Sequence, residues 1–268
     1  MRGLQANRED LSLLLSQYDP TAVCYKKLLH SNKTPSFKNI HTMGIPAVET
    51  NGSLHGGVGV LVKNTAPHQQ LHINTGLQAI ALRATCHKTI TICSIYLSPS
   101  TACNLTELED LIRQLPPPVL LLGDFNAHSQ QWGSNKRSTR GKMVEDFLLK
   151  SDLSLLNSGS PTYLHPATAS FSAIDLSIAH PALYLDFSWQ TDSDLHGSDH
   201  YPIVITTDTT CPIISYVWAR PTCFPPSGAM KTAKQPLKPG TRPLNGWKST
   251  RHNTILKTIG SSGPKPSV

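Results

Sequence analysis

Val119-Leu120-Leu121-Leu122-Gly123-Asp124-Phe125-Asn126 is the stretch on which the fold turns. Four consecutive apolar residues predict a buried strand, and Gly123 marks a place where backbone must pass close to a neighbour. Asp124 and Asn126 follow with period-two spacing, which lets both project from one side of the strand end. A carboxylate and a carboxamide at the end of a central strand suit the handling of an activated water and a phosphate oxygen. The same residues also suit an Asx-type turn after a core strand, and the octapeptide alone does not choose between the two.

Working outward, strands are expected at 21–25, 58–63, 77–84, 89–97, 171–179, 184–190 and 202–206, each rich in Val, Ile, Leu or Thr. Helices are expected at 7–17, where Leu11, Leu14 and Leu15 supply an apolar stripe, at 105–115, stopped by Pro116-Pro117-Pro118, and at 142–150. Residues 31–56 read as polar and turn-rich. Strands outnumber helices, and the helices fall between groups of strands. That order predicts sheets packed on each other with helices outside.

Charge divides the chain sharply. Nine of the 24 basic residues and nine of the 21 prolines lie in 209–268, which has no Asp or Glu; 1–208 keeps fifteen basic against seventeen acidic side chains. A segment so poor in apolar periodicity is expected to remain disordered, because it buries too little surface to offset ordering entropy. The expected division is therefore a folded domain over 1–208 and a basic, proline-rich tail over 209–268 able to add sequence-independent attraction to nucleic acid. No run of eighteen apolar residues and no signal-like start occurs, so no membrane span is expected. The six cysteines have no CxxC or zinc spacing and read as reduced thiols, which favours an intracellular compartment.

Three more polar clusters interrupt apolar runs. Tyr96 closes Thr89-Ile90-Thr91-Ile92-Cys93-Ser94-Ile95-Tyr96, Asp175 lies inside Ile174-Asp175-Leu176-Ser177-Ile178, and Ser198-Asp199-His200 precedes Tyr201-Pro202-Ile203-Val204-Ile205. A carboxylate inside an apolar strand needs a partner, and a histidine is the natural one near neutral pH. Taken singly, each has a plain structural reading: a rim tyrosine, a loop-bonding carboxylate, a strand-entry turn.

Taken together, the order Tyr, Asp-x-Asn, Asp, Asp-His resembles the endonuclease/exonuclease/phosphatase superfamily, which includes deoxyribonuclease I. It is more closely similar to the endonuclease domain of non-LTR retrotransposons. Further points of likeness are Arg2-Gly3-Leu4, Gly56-Gly57-Val58-Gly59-Val60, Ile95-Tyr96-Leu97-Ser98-Pro99 and Gly123-Asp124-Phe125-Asn126-Ala127-His128 with Trp132-Gly133.

The resemblance implies a four-layer α/β/β/α sandwich with its site at one end of two sheets, and magnesium-dependent hydrolysis of a DNA phosphodiester. On that footing Asp124 acts on the attacking water and Asn126 holds the phosphate. Tyr96 contacts a phosphate oxygen, His200 paired with Asp175 stabilises the transition state, and Asp199 lies beside the metal. It also implies a nuclear setting, element RNA as a partner through a reverse transcriptase domain, and a nick that primes reverse transcription. Two departures are visible. The family's first strand, ending in Trp-Asn, has no counterpart before Met1, which predicts unpaired strand edges and an open core. The family's metal-binding Glu after the strand at 21–25 is replaced, with Lys27 expected at its position, which predicts weak cleavage. A non-catalytic nucleic-acid-binding remnant, or a phosphatase or RNA nuclease of the same fold, are the alternatives.

Overall fold

Alternating apolar residues build two six-stranded sheets in the computed structural model, which describes residues 8–27, 36–50, 53–86, 88–207 and 212–218. In chain order the elements are α1 (Arg8–Tyr18), β1 (Ala22–Lys27), β2 (Ile40–Ile45), β3 (Val48–Thr50), β4 (Ser53–His55), β5 (Val58–Lys63), β6 (His68–Leu71), β7 (Gln78–Thr85) and β8 (Thr89–Tyr96). There follow α2 (Leu105–Arg113), β9 (Val119–Asp124), α3 (Thr139–Lys150), β10 (Ser154–Leu155), β11 (Tyr163–His165), β12 (Ser170–Ser172) and β13 (Asp175–Ala179). The last are α4 (Pro181–Tyr184), β14 (Ser188–Thr191), β15 (Ile203–Thr206) and β16 (Ile213–Trp218).

One sheet has the order β14-β15-β16-β1-β5-β2 and the other β10-β13-β9-β8-β7-β6. Their facing sides share one core, in which Ala22, Cys24, Val58, Val60, Ile80, Leu82, Ile92, Leu120, Leu122, Ile203 and Ile213 interleave. The opposite residues of each strand pack outward. Val23, Tyr25 and Leu61 meet Leu11 and Leu14 of α1, while Leu121, Cys93 and Leu176 meet Leu108, Leu111, Val144 and Phe147 of α2 and α3. These are the four expected layers. Period-two strands with both faces apolar can only be satisfied in the middle of such a stack.

Several expectations change. The end of the folded domain lies beyond 208, because β16 runs parallel to β1 and antiparallel to β15 inside the first sheet. Ile213 joins the inter-sheet core and Ile214 and Tyr216 the α1 side, so this strand has two apolar faces. Consequently β1 is hydrogen-bonded on both sides, by β16 and β5, and the unpaired edge expected there does not exist. The rest of the tail, and the segment with Arg2-Gly3-Leu4, lie outside the described residues. The stretch 31–56 contains β2, β3 and β4; β2 is an edge strand with a solvated face, which hid its alternation. The strand expected at 184–190 begins only at Ser188, because Pro181 behind the His180 N-cap starts α4. The run 171–179 breaks at Ala173-Ile174, separating the β11–β12 hairpin from β13.

Candidate active site

Strand register brings the candidate residues together. In the parallel β8–β9 ladder Tyr96 stands opposite Asp124, and in the antiparallel β9–β13 pairing Asp175 does the same. Tyr96, Asp124 and Asp175 thus form a row across three strands at one end of the second sheet. Gly123 permits this. A Cβ there would lie 1.8 Å from the Ile95 carbonyl oxygen, and its φ of 150° is one that side chains rarely adopt. The close approach expected at Gly123 is to the backbone of β8.

From the first sheet, His200 enters just before β15. Its Nδ1 lies 2.8 Å from Asp175 Oδ2, and both side chains are buried. Asp175 accepts that hydrogen bond, which fixes the proton on Nδ1 and leaves Nε2 to other partners. Burial works against a charged ring, yet the Asp175 carboxylate overrides it and holds the His200 pKa above its ordinary value. The ring of Tyr163 lies against the imidazole at 4.7 Å. Thr162 Oγ1 accepts from the N–H groups of Ile174 and Asp175, which sets the strand entry. Thr162 and Tyr163 carried no sequence motif; they reach the site because the Thr162 carbonyl accepts from the Tyr201 N–H, Tyr163 bridges to His200, and Leu164 next to them donates to the Asp199 carbonyl.

Asp124 and Asn126 form the turn that the octapeptide allows. Asp124 Oδ1 accepts from the Asn126 N–H at 3.0 Å, an Asx-type turn, and Asn126 takes a φ of 48°. Asn126 Nδ2 donates to the Leu97 carbonyl at 3.1 Å, which aims its free Oδ1 and ties the turn to the loop after Tyr96. Arg140 from α3 fastens the same loop through the carbonyls of Leu97, Ser98 and Thr101. Trp132 is a core plug, fully buried with Nε1 on the Ala127 carbonyl.

A cation in this site is Lys26, the neighbour of the Lys27 expected at the family's Glu position. Its Nζ lies 2.7 Å from Asp124 Oδ2 and 3.8 Å from the Tyr96 ring centroid. Only 15% of the Lys26 side chain is exposed, against 1% for Asp124. Alternation along β1 explains the choice: Ala22, Cys24 and Lys26 share a parity, and the first two are in the inter-sheet core. Lys27 pairs its backbone with Trp218, and its side chain lies outside the described residues. Burial opposes the Lys26 charge, but Asp124, helped by Tyr96 and Asp175, keeps its pKa above the ordinary lysine value. Removing either partner would leave a buried charge uncompensated, at a cost of about 3–5 kcal/mol.

Asp124, Asp175 and His200 form a possible acidic metal site, with ligand atoms all within 4.8 Å of one another. Two observations invite a cation: Asp175 Oδ1 and Asp199 Oδ1 are buried without a hydrogen-bond partner. Burial pushes the Asp199 carboxyl up. A third observation opposes one. Asp124 spends Oδ1 on the Asn126 N–H and Oδ2 on the Lys26 ammonium. A divalent ion on Asp124 would stand about 4 Å from that ammonium, and at an effective dielectric near 20 the repulsion is roughly 8 kcal/mol. The residues as they stand do not fit a divalent ion.

The same architecture occurs in solved proteins. The endonuclease domain of TRAS1, a telomere-specific non-LTR retrotransposon, superposes with a TM-score of 0.63 at 20% identity over 76% of this chain and 93% of its own. An endonuclease/exonuclease/phosphatase family protein from Leptotrichia buccalis gives 0.54 at 9% identity, over 76% and 93% of the two chains. The fold is that of the endonuclease/exonuclease/phosphatase class. In sequence, the family model described as endonuclease-reverse transcriptase matches residues 90–204. The RNA-directed DNA polymerase from mobile element jockey of Drosophila funebris is 26% identical over 211 residues, 76% of this chain and 22% of its own. The probable RNA-directed DNA polymerase from transposon BS of Drosophila melanogaster is 30% identical over 167 residues, 59% and 18%. In sequence over residues 90–204, and in fold over most of its length, the chain is similar to endonuclease domains of the non-LTR retrotransposon kind. It spans about a fifth of the length of these curated relatives. Among the described residues no helix is long and apolar enough to cross a membrane.

Proposed function

We propose that this domain recognises a DNA phosphodiester at the end of its two sheets and is built for hydrolytic nicking, with cleavage impaired in this chain. The observation that supports the reading is the convergence of Tyr96, Asp124, Asn126, Asp175 and His200 at one strand-end level. Each side chain has a task in phosphoryl transfer, where positioning and charge neutralisation carry most of the catalysis. His200, held by Asp175, donates from Nε2 to a phosphate oxygen in its protonated form and stabilises the transition state. Asn126 and Tyr96 orient the phosphate. Asp124 is the group placed to act on the attacking water, and Lys26 withholds it from that role. The ion that the resemblance implies is magnesium, with Asp199 beside it. A nick would expose a 3′ hydroxyl for reverse transcription by a polymerase domain with its element RNA, in the nucleus.

Lys26 also favours a second reading, a nucleic-acid-binding domain that does not cut. Nicking of supercoiled plasmid separates the two. Wild type should nick slowly, Lys26→Glu at least tenfold faster, and His200→Ala in that background should abolish the gain. Wild-type turnover equal to that of Lys26→Glu would overturn the impairment. A Lys26→Glu chain that binds DNA but never nicks would leave the binding reading in place.

A further inference from the structure

The three carboxylates of the site do not share one fate. Asp124 is neutralised by an ammonium from the facing sheet, whereas Asp175 and Asp199 each keep a buried Oδ1 with no hydrogen-bond partner. Such a cluster needs a counter-cation, since closely spaced buried carboxylates repel and are poorly solvated. His200 serves Asp175 through Nδ1, and its Nε2 stands 3.9 Å from Asp199 Oδ1, too far for a hydrogen bond. Among the described side chains of the site, the Lys26 ammonium supplies a further positive charge. It is held from three directions: the Asp124 carboxylate at 2.7 Å, the Tyr96 ring face at 3.8 Å, and the stem of a strand residue continuing the Ala22–Cys24 series. A side chain fixed in this way is not a solvated lysine that swings aside when an ion arrives. It is a covalently tethered cation in the ligand shell of its own carboxylates.

We infer that Lys26 is the built-in counter-cation of this carboxylate cluster and excludes divalent ions from the site. The inference rests on the reading of the cluster as a nuclease-type site and goes past it in assigning the block to Lys26 and in making the block reversible. Exchanging this ammonium for a carboxylate returns an oxygen donor and removes the competing charge in one step. Divalent-ion binding is therefore a property that one residue of β1 switches.

The test is Mn2+ binding by the full chain, followed by loss of the free-ion electron paramagnetic resonance signal. Thermal melting with and without Mn2+ gives a second readout. Wild type should bind no Mn2+ that Asp124→Asn removes. Lys26→Glu should bind at least tenfold more tightly than wild type, and adding Asp124→Asn should erase the gain. Its melting temperature should fall in chelator, where four carboxylates face each other, and recover with Mn2+. Lys26→Gln, which keeps the length of the side chain and loses only the charge, guards against misfolding and should gain affinity by a smaller factor. Lys27→Glu should gain nothing. Wild-type binding at this site as tight as that of Lys26→Glu would overturn the inference, and so would a gain in Lys27→Glu equal to that in Lys26→Glu. Failure of the nuclease reading looks different: Lys26→Glu would bind Mn2+ at Asp124 and still leave plasmid intact.

Discussion

Gly123 shows how much of the site depends on a missing atom. The rung Ile95↔Gly123 lies directly beside the rung Tyr96↔Asp124 in the β8–β9 ladder. A methyl group at Gly123 would sit 1.8 Å from the Ile95 carbonyl oxygen, and that atom belongs to a buried strand that cannot rotate away. Either the ladder opens or β9 shifts, and both move Asp124 relative to Tyr96 and Lys26. Gly123→Ala should therefore cost about 3 kcal/mol in urea denaturation, and it should weaken the Lys26–Asp124 contact as well. Gly76→Ala is the matched control, because a Cβ there meets nothing within 4 Å. A loss below about 1 kcal/mol for Gly123→Ala would show that β8 and β9 part more easily than the parallel ladder suggests.

At the scale of elements, polar residues at the ends of apolar strands were the readable part. Tyr96, Asp124, Asp175 and His200 stood out because each interrupts an apolar run, and strand register then placed three of them in one row. The choice between Lys26 and Lys27 was harder. Adjacent strand residues point to opposite faces, so an offset of one decides which lysine meets Asp124. The alternation of Ala22 and Cys24 carries that answer for Lys26, while the family motif aligns Lys27 with the metal-binding Glu, and the Lys27 side chain lies outside the described residues. Thr162 and Tyr163 were invisible because they act through tertiary backbone pairing. The strand β16 was hidden by the proline-rich, basic composition around it. It places Ile213, Ile214 and Tyr216 at 0–1% exposure between β15 and β1. Burial of three such side chains is worth about 1.5–3 kcal/mol each, a large share of a domain stability of about 5–15 kcal/mol. A chain cut after residue 218 should keep a cooperative urea transition. One cut after residue 208 should lose it, or drop by more than about 5 kcal/mol, because β1 and β15 would then expose facing edges. Equal stability of the two truncations would show that β16 contributes nothing to the sheet.

For the whole molecule, charge and shape are assigned to different parts. All nine basic residues after position 208 lie beyond Trp218, whereas 1–208 has more acidic than basic side chains, and the site itself holds Asp124, Asp175 and Asp199. The sandwich positions one phosphodiester, but its net charge gives little long-range attraction for a polyanion. Attraction of that kind must come from the basic segment, and it carries a salt signature. Each phosphate neutralised on duplex DNA contributes a slope of about −0.9 in log K against log salt. Full-length chain should bind a DNA duplex with a steep slope of several such contacts. A chain cut after residue 218 should bind at least tenfold more weakly at low salt, and with a much flatter slope. Its residual binding should respond to His200→Ala, and binding by the full-length chain should barely respond. An unchanged slope after the cut would place the phosphate contacts on the sandwich, and the division of labour between cleft and tail would be wrong.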